Sequence, residues 1–134
     1  LADIDTLPDG TADLKAALHN NIGVLAQYED RWADALLSYQ RSLAIREAQG
    51  AGWEAAQAQS HHNLGRLFLE QKKRNDAYSH AQKAFALSQT GNGANHPYTL
   101  ACLELMISVE RARGRSDAAR RLQDQLATLR SQDS

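Results

Sequence analysis

Asn20-Asn21-Ile22-Gly23-Val24-Leu25 comes back as His62-Asn63-Leu64-Gly65-Arg66-Leu67, with Gly65 standing 42 residues after Gly23. The segment behind it returns too. Arg31-Trp32-Ala33-Asp34-Ala35 reappears as Lys73-Arg74-Asn75-Asp76-Ala77 at the same offset of 42, then as Gly114-Arg115-Ser116-Asp117-Ala118 a further 41 on. A period near 40 residues marks stacked units. Each is too small to bury its own apolar face and buries it against its neighbours.

Working outward, the stretches between the repeated segments carry the spacing of helices. Leu14, Ala17/Leu18, Ile22 and Leu25 recur at three and four residues from Ala12 to about Tyr28. A second helix runs from Trp32 to about Gln49, and Gly50 and Gly52 end it. The third covers roughly Trp53 to Glu70, and the fourth about Asn75 to Ser88, where Gly91 and Gly93 break the pattern. Asn95-His96-Pro97 opens the fifth, with proline in the first turn where its missing N–H costs nothing. It reaches about Arg113, and the sixth spans Ser116 to about Arg130. Thr11 is placed to cap the first of these helices. The expected fold is all-α: an α-α superhelix, or solenoid, of three helical hairpins at about 11–50, 53–92 and 95–131, behind a lead-in over residues 1–10.

Composition sets the outer limits. The 134 residues suit one domain, are 43% hydrophobic and 23% charged, and carry a net charge of −1. Near-neutrality gives no reason to expect nucleic acid, whose affinity comes largely from phosphate neutralisation. No apolar run approaches the roughly 20 residues that cross a bilayer, so no membrane insertion is expected. The lone Cys102 and the acidic opening, Leu1-Ala2-Asp3-Ile4-Asp5, fit a cytoplasmic protein without a leader. Because the first residue is leucine, a fragment or a processed product is also expected.

The pattern resembles the tetratricopeptide repeat. The matching places are His19, Ile22, Gly23, Ala35, Tyr39 and Ser42; then His61, Leu64, Gly65, Ala77, Ala81 and Ala84; then Cys102, Leu105, Met106, Ala118, Leu122 and Gln125. Gly23 and Gly65 fit a close helix crossing, and Ala35, Ala77 and Ala118 the reciprocal contact. Met106 in the glycine place loosens the third crossing. Since the usual period is about 34 residues, a period of 42 resembles the long-helix variant of kinesin light chain and of bacterial regulators. Arg41-Ser42-Leu43-Ala44-Ile45-Arg46-Glu47 and Asn95-His96-Pro97-Tyr98-Thr99 resemble segments of that variant.

The resemblance implies a concave groove lined by the first helix of each hairpin, holding an extended peptide or a partner helix. Its places fall on Ala17, Asn20, Asn21, Val24, Gln27 and Tyr28; on Gln59, His62, Asn63, Arg66, Leu69 and Glu70; and on Leu100, Leu103, Glu104, Ile107, Glu110 and Arg111. Asn21 and Asn63 stand out, because asparagine is mildly unfavourable inside a helix yet offers a donor and an acceptor. Two readings stay open: contact with a peptide backbone, or bonds to water or a neighbouring helix. Arg66 and Arg111 either meet a partner's carboxylates or pair with Glu70 and Glu104. A terminal-carboxylate clamp is not expected, since Ala17, Asn20 and Gln59 stand where its basic residues would be.

No catalytic motif is present, and neither a cofactor nor a metal is expected. His19, His61 and Cys102 line up along the stack, but neighbouring hairpins stand too far apart for shared metal ligation. Trp32 and Tyr78 are expected at the hairpin turns, with Trp53 either packed between repeats or exposed. The polar last helix can end the stack. The first hairpin is less clearly covered, by Ile4 and Leu7 or by something absent, and an uncovered edge makes a homo-oligomer possible. The leading functional expectation is a non-enzymatic protein–protein interaction module. The alternative is a regulatory or ligand-sensing repeat fragment of a larger signalling or transcription-regulating protein.

Overall fold

The computed structural model describes residues 2–132. A single short turn, α1 (Ala2–Asp5), precedes six long helices: α2 (Ala12–Tyr28), α3 (Trp32–Gln49), α4 (Glu54–Glu70), α5 (Arg74–Asn92), α6 (Pro97–Ala112) and α7 (Ser116–Ser131). The chain is an all-α solenoid of three hairpins, α2–α3, α4–α5 and α6–α7, with no strand among the described residues.

Each hairpin turn is the same object. The helices α2, α4 and α6 end at Tyr28, Glu70 and Ala112. Two residues later the chain turns left-handed, at Asp30 (φ 59°), Lys72 (φ 63°) and Gly114 (φ 77°). The next amides, of Arg31, Lys73 and Arg115, donate to the carbonyls of Ala26, Phe68 and Glu110, each at 2.8 Å. This closes the otherwise orphaned last carbonyls of the helix. All three sets are 42 residues apart.

That spacing corrects the offset of 41 read for the third copy. Ala119, buried at 2% exposure, takes the place of Ala35 and Ala77; Ala118 is only half-buried. Ile107, not Met106, stands where Gly23 and Gly65 stand, and Leu103, not Cys102, follows His19 and His61. The misreading arose because Asp117-Ala118 copies Asp76-Ala77 one residue out of register.

The glycine places work as expected in the first two hairpins. A Cβ built on Gly23 would lie 2.6 Å from the Tyr39 ring, and one on Gly65 3.4 Å from the backbone nitrogen of Ala81. In the third hairpin Ile107 is buried in a cluster with Val109, Ala119 and Leu126. The first cluster joins Ala26, Ala35, Tyr39, Leu64 and Leu67 across the first two hairpins, and Phe68 packs against both clusters. Burying leucines such as Leu64 and Leu67 contributes about 1.5–3 kcal/mol each.

Two local expectations fail. Gly91 does not break the fourth helix: α5 runs on to Asn92, and Gly93 (φ 102°) ends it. Gly91 is needed inside the helix because a Cβ there would meet the Ala55 nitrogen at 2.4 Å. Thr11 occupies the N-cap of α2 but makes no capping bond; its hydroxyl donates to the Pro8 carbonyl instead. Pro97 sits in the first turn of α6, where His96 Nδ1 accepts from the Tyr98 amide at 3.0 Å.

Gly23→Ala tests the crossing. In a free helix the change favours folding by up to about 1 kcal/mol. Here the Tyr39 ring is 1% exposed and its hydroxyl is fixed on Gln27, so a net loss of about 1–3 kcal/mol is expected in urea unfolding. A more stable variant would show that the ring has room to move.

Candidate functional site

The first helices of the hairpins, α2, α4 and α6, share one face, because each packs on its own second helix and lies beside the next first helix. That face carries a cleft of about 410 Å³. Gln27 lines it from α2; His62, Arg66, Leu69 and Glu70 from α4; and Ala101, Glu104, Leu105 and Ser108 from α6. A smaller adjoining cleft of about 210 Å³ is lined by Val24, Gln27, Tyr28, Asp30, Tyr39, Arg66 and Glu70. Gln27, Arg66 and Glu70 line both.

Hydrogen bonds fix the helices under this face. Asn63 Nδ2 donates to Asn20 Oδ1 at 2.7 Å, joining α4 to α2. Tyr39 donates to Gln27 Oε1 at 2.8 Å, and Gln27 Nε2 passes the chain on to Glu70 Oε2 at 2.7 Å. Burial pushes the Tyr39 hydroxyl up to about 12, so it remains a donor. Asn20, Gln27 and Asn63 are thus buried groups satisfied within the protein.

Several predicted groove residues therefore move. Asn20 and Asn63 form an internal pair between hairpins and are not presented to a peptide, whereas Asn21 is exposed. Ile107 and Leu103 belong to the core with α7, and Glu110 is buried against Arg113 at 2.7 Å. The one-residue register error accounts for these three. Ala101, Leu105 and Ser108 are the cleft residues that the sequence reading missed, and counting 42 from Gln59, Asn63 and Arg66 finds them. His62, Arg66, Glu70 and Glu104 do come together in the cleft. Tyr28 stands 89% exposed at the rim, and Arg111 is exposed at the end of α6.

The charges do not pair as anticipated. Glu70 takes Gln27, and Glu104 takes Arg130 of α7 at 2.8 Å. The salt bridges among the described residues leave Arg66 and Arg111 out. Arg66 is exposed in the cleft, shares its lining with Glu70 and Glu104, and makes no direct ion pair with either. His62, its ring centroid 5.3 Å from that of Tyr98, is pushed down to about 4, mostly by burial and then by Arg66. It is neutral at pH 7.

Behind the face, His61 and His80 meet through their Nδ1 atoms at 2.9 Å, and His80 stacks on Phe68. Burial holds both below their ordinary range, His61 at about 4. Cys102 is buried, and its thiol is raised to about 12 by burial, leaving it unreactive. Among the described residues no group of three His, Cys, Asp or Glu side chains is placed to hold a metal ion. No helix there is long and apolar enough to cross a membrane. At the turns, Trp32 is partly exposed and Tyr78 lies 4.1 Å beneath the Arg113 guanidinium. Trp53 is half-buried beside α2 and α3.

Two measurements follow from this geometry. Asn20→Ala strands the buried Asn63 amide and is expected to cost about 1–3 kcal/mol in urea unfolding; an unchanged midpoint would mean that water replaces the bond. The second concerns acid. His61 and His62 bind protons at about 4 when folded and near 6.5 when unfolded. The unfolded chain therefore binds more protons between those values, so stability is full above pH 6.5 and falls until about pH 4. Leucine at both positions should flatten the melting temperature over that window, and an unaltered slope would place the protons elsewhere.

The tetratricopeptide repeat family model matches residues 14–89 and again 54–132. Two solved structures of TPR-like repeats ascribed to a kinesin light chain of Podosopora anserina, one a single-site variant, superpose with a TM-score of 0.74. Each is 17% identical over 90% of this chain, a likeness of fold, and this chain spans 57% of theirs. No curated protein matches. With its three hairpins in one register and family matches over almost its whole length, this chain belongs to the tetratricopeptide repeat family of protein–protein interaction modules.

Proposed function

We propose that this chain is a non-enzymatic docking module that holds an extended peptide or a partner helix in the groove of α2, α4 and α6. The observation that carries this reading is the cleft around Arg66, where an exposed guanidinium that makes no direct ion pair among the described residues stands beside the apolar Leu69 and Leu105, with Glu70 and Glu104 engaged by Gln27 and Arg130. A bound segment gains there from both burial and a charge-assisted bond. Asn20, Gln27 and Asn63 support the groove from beneath and hold its helices in place. The exposed Tyr28 extends it along α2. Cys102, buried and protonated, offers no nucleophile to the cleft.

The experiment is selection of peptides from a displayed random library on the immobilised chain, followed by fluorescence anisotropy on the selected sequences. Arg66→Ala and Leu69→Ala are each expected to weaken binding about tenfold, the loss of about 1.4 kcal/mol that a central contact carries. Lys83→Ala, on the exposed side of α5, should leave affinity unchanged. Selected peptides that ignore both groove substitutions would remove the groove from the binding role.

A further inference from the structure

The residues before α2 repeat the junction before α4. Counting 42, Leu1-Ala2 matches Leu43-Ala44, Ile4 matches Arg46, and Gly10 matches Gly52. The backbone agrees. Gly10 and Gly52 have φ of 89° and 94°, and the N-cap residues Thr11 and Trp53 have φ of −107° and −110°. The amide of Lys15 donates to the Thr11 carbonyl as that of Gln57 does to Trp53, both at 2.9 Å. Ile4, Arg46 and Ser88 are all buried at the matching place. By this register α1 is the last turn of a second-type helix, lying on α2 as the end of α3 lies on α4.

The rest of that helix's contact face is bare. Leu25 is 56% exposed, while its counterparts Leu67 and Val109 are both 0% exposed. Asn21 is exposed, while its counterpart Asn63 is bonded to the first helix of the preceding hairpin. The six large hydrophobic side chains most exposed among the described residues, Leu14, Val24, Leu25, Tyr28, Trp32 and Leu37, all lie on the first hairpin. The opposite end differs: Arg120, Gln123 and Asp124 of α7 are exposed, and Arg130 is tied to Glu104. Head-to-tail stacking of copies would press that polar helix onto Leu25, so α7 is a poor occupant.

We propose that the edge of α2 around Asn21 and Leu25 is the docking face for one further hairpin of this repeat, entering through α1. Its second helix covers Leu25 with small and aromatic residues of the Ala35 and Tyr39 type, and its first helix meets Asn21. This face lies apart from the Arg66 cleft, so the proposal stands or falls independently of groove binding.

The test is to place a copy of residues 12–42 directly before Leu1, which keeps the period at 42. The grafted chain is expected to melt about 5 °C or more above the original, with slowed amide exchange over the second half of α2. Leu25→Asp should cancel that gain in the grafted chain and shift the original by less than about 1 °C. A grafted chain that gains nothing, or does not fold, overturns the proposal, since the copied segment already packs on α4 in this protein. Light scattering of the unaltered chain closes the alternative: a monomer is expected, and a dimer dissolved by Leu25→Asp would give the edge to a second copy.

Discussion

Everything in this structure depends on how closely the two helices of a hairpin approach. The first helix gives up a side chain at Gly23 and Gly65, and the second answers with the Tyr39 ring in one case and the Ala77–Ala81 backbone in the other. Close packing leaves no slack at Gly23, where even a methyl group must displace the Tyr39 ring; at Gly65 the tightest neighbour is Leu105 of the next hairpin, 3.0 Å from a built Cβ. A fixed crossing fixes which residues face inward along both helices. The groove follows, because its residues are the ones left outward on α2, α4 and α6. In the third hairpin Ile107 fills the glycine place and the small Ala119 is buried in the same cluster. Bulk has moved from one helix to the other.

A second constraint acts between hairpins. Apolar contacts alone would tolerate sliding of one hairpin over the next. The Asn20–Asn63 bond and the Tyr39–Gln27–Glu70 chain tolerate it much less, because displacement leaves buried polar groups unpaired. Two of these residues, Asn20 and Asn63, looked like ligand-binding positions. Their energetic value instead lies in register, which is the best-attested use of buried polar groups. The side chains left for the proposed groove are those one step further out, Arg66 and Leu69 above all.

The sequence carried most of the fold because period and spacing are local signals. The helix ends at Tyr28, Gln49 and Glu70 follow from polar turn residues and glycines. What it did not carry was set by contacts between distant residues. Gly91 reads as a helix breaker until Ala55 is seen lying against it. Asn63 reads as a surface donor until Asn20 is placed opposite. The third register was mistaken because a dipeptide match outweighed the period. The left-handed turn residues Asp30, Lys72 and Gly114 settle it, since a turn position cannot drift by one without turning every side chain behind it. Within the candidate site, His62, Arg66, Glu70 and Glu104 were legible from the repeat alone; the Arg130 partner of Glu104 was not.

In a solenoid each unit touches only its neighbours, so the shape of the groove is decided at the junctions. These junctions are not alike. Between the first two hairpins, Arg46 is buried with its guanidinium donating to the Ala56 carbonyl and to Ser60 Oγ, at 3.0 and 2.9 Å, and no carboxylate beside it. Burial lowers its proton affinity, and its Nε finds no acceptor among the described residues. At the equivalent place between the second and third hairpins, Ser88 and Thr99 bond at 2.6 Å and Thr99 donates on to the Gly93 carbonyl. The second junction is small and neutral, its one orphan being the Asn95 Oδ1 in the connection from α5 to α6, which finds no partner among the described residues. The first holds a charge whose hydration is only partly replaced. The two junctions thus hold the groove by different means: the first through the buried Arg46 and the Asn20–Asn63 and Tyr39–Gln27–Glu70 bonds, the second through the neutral Ser88–Thr99 pair, and the cleft around Arg66, lined from α2, α4 and α6, spans both.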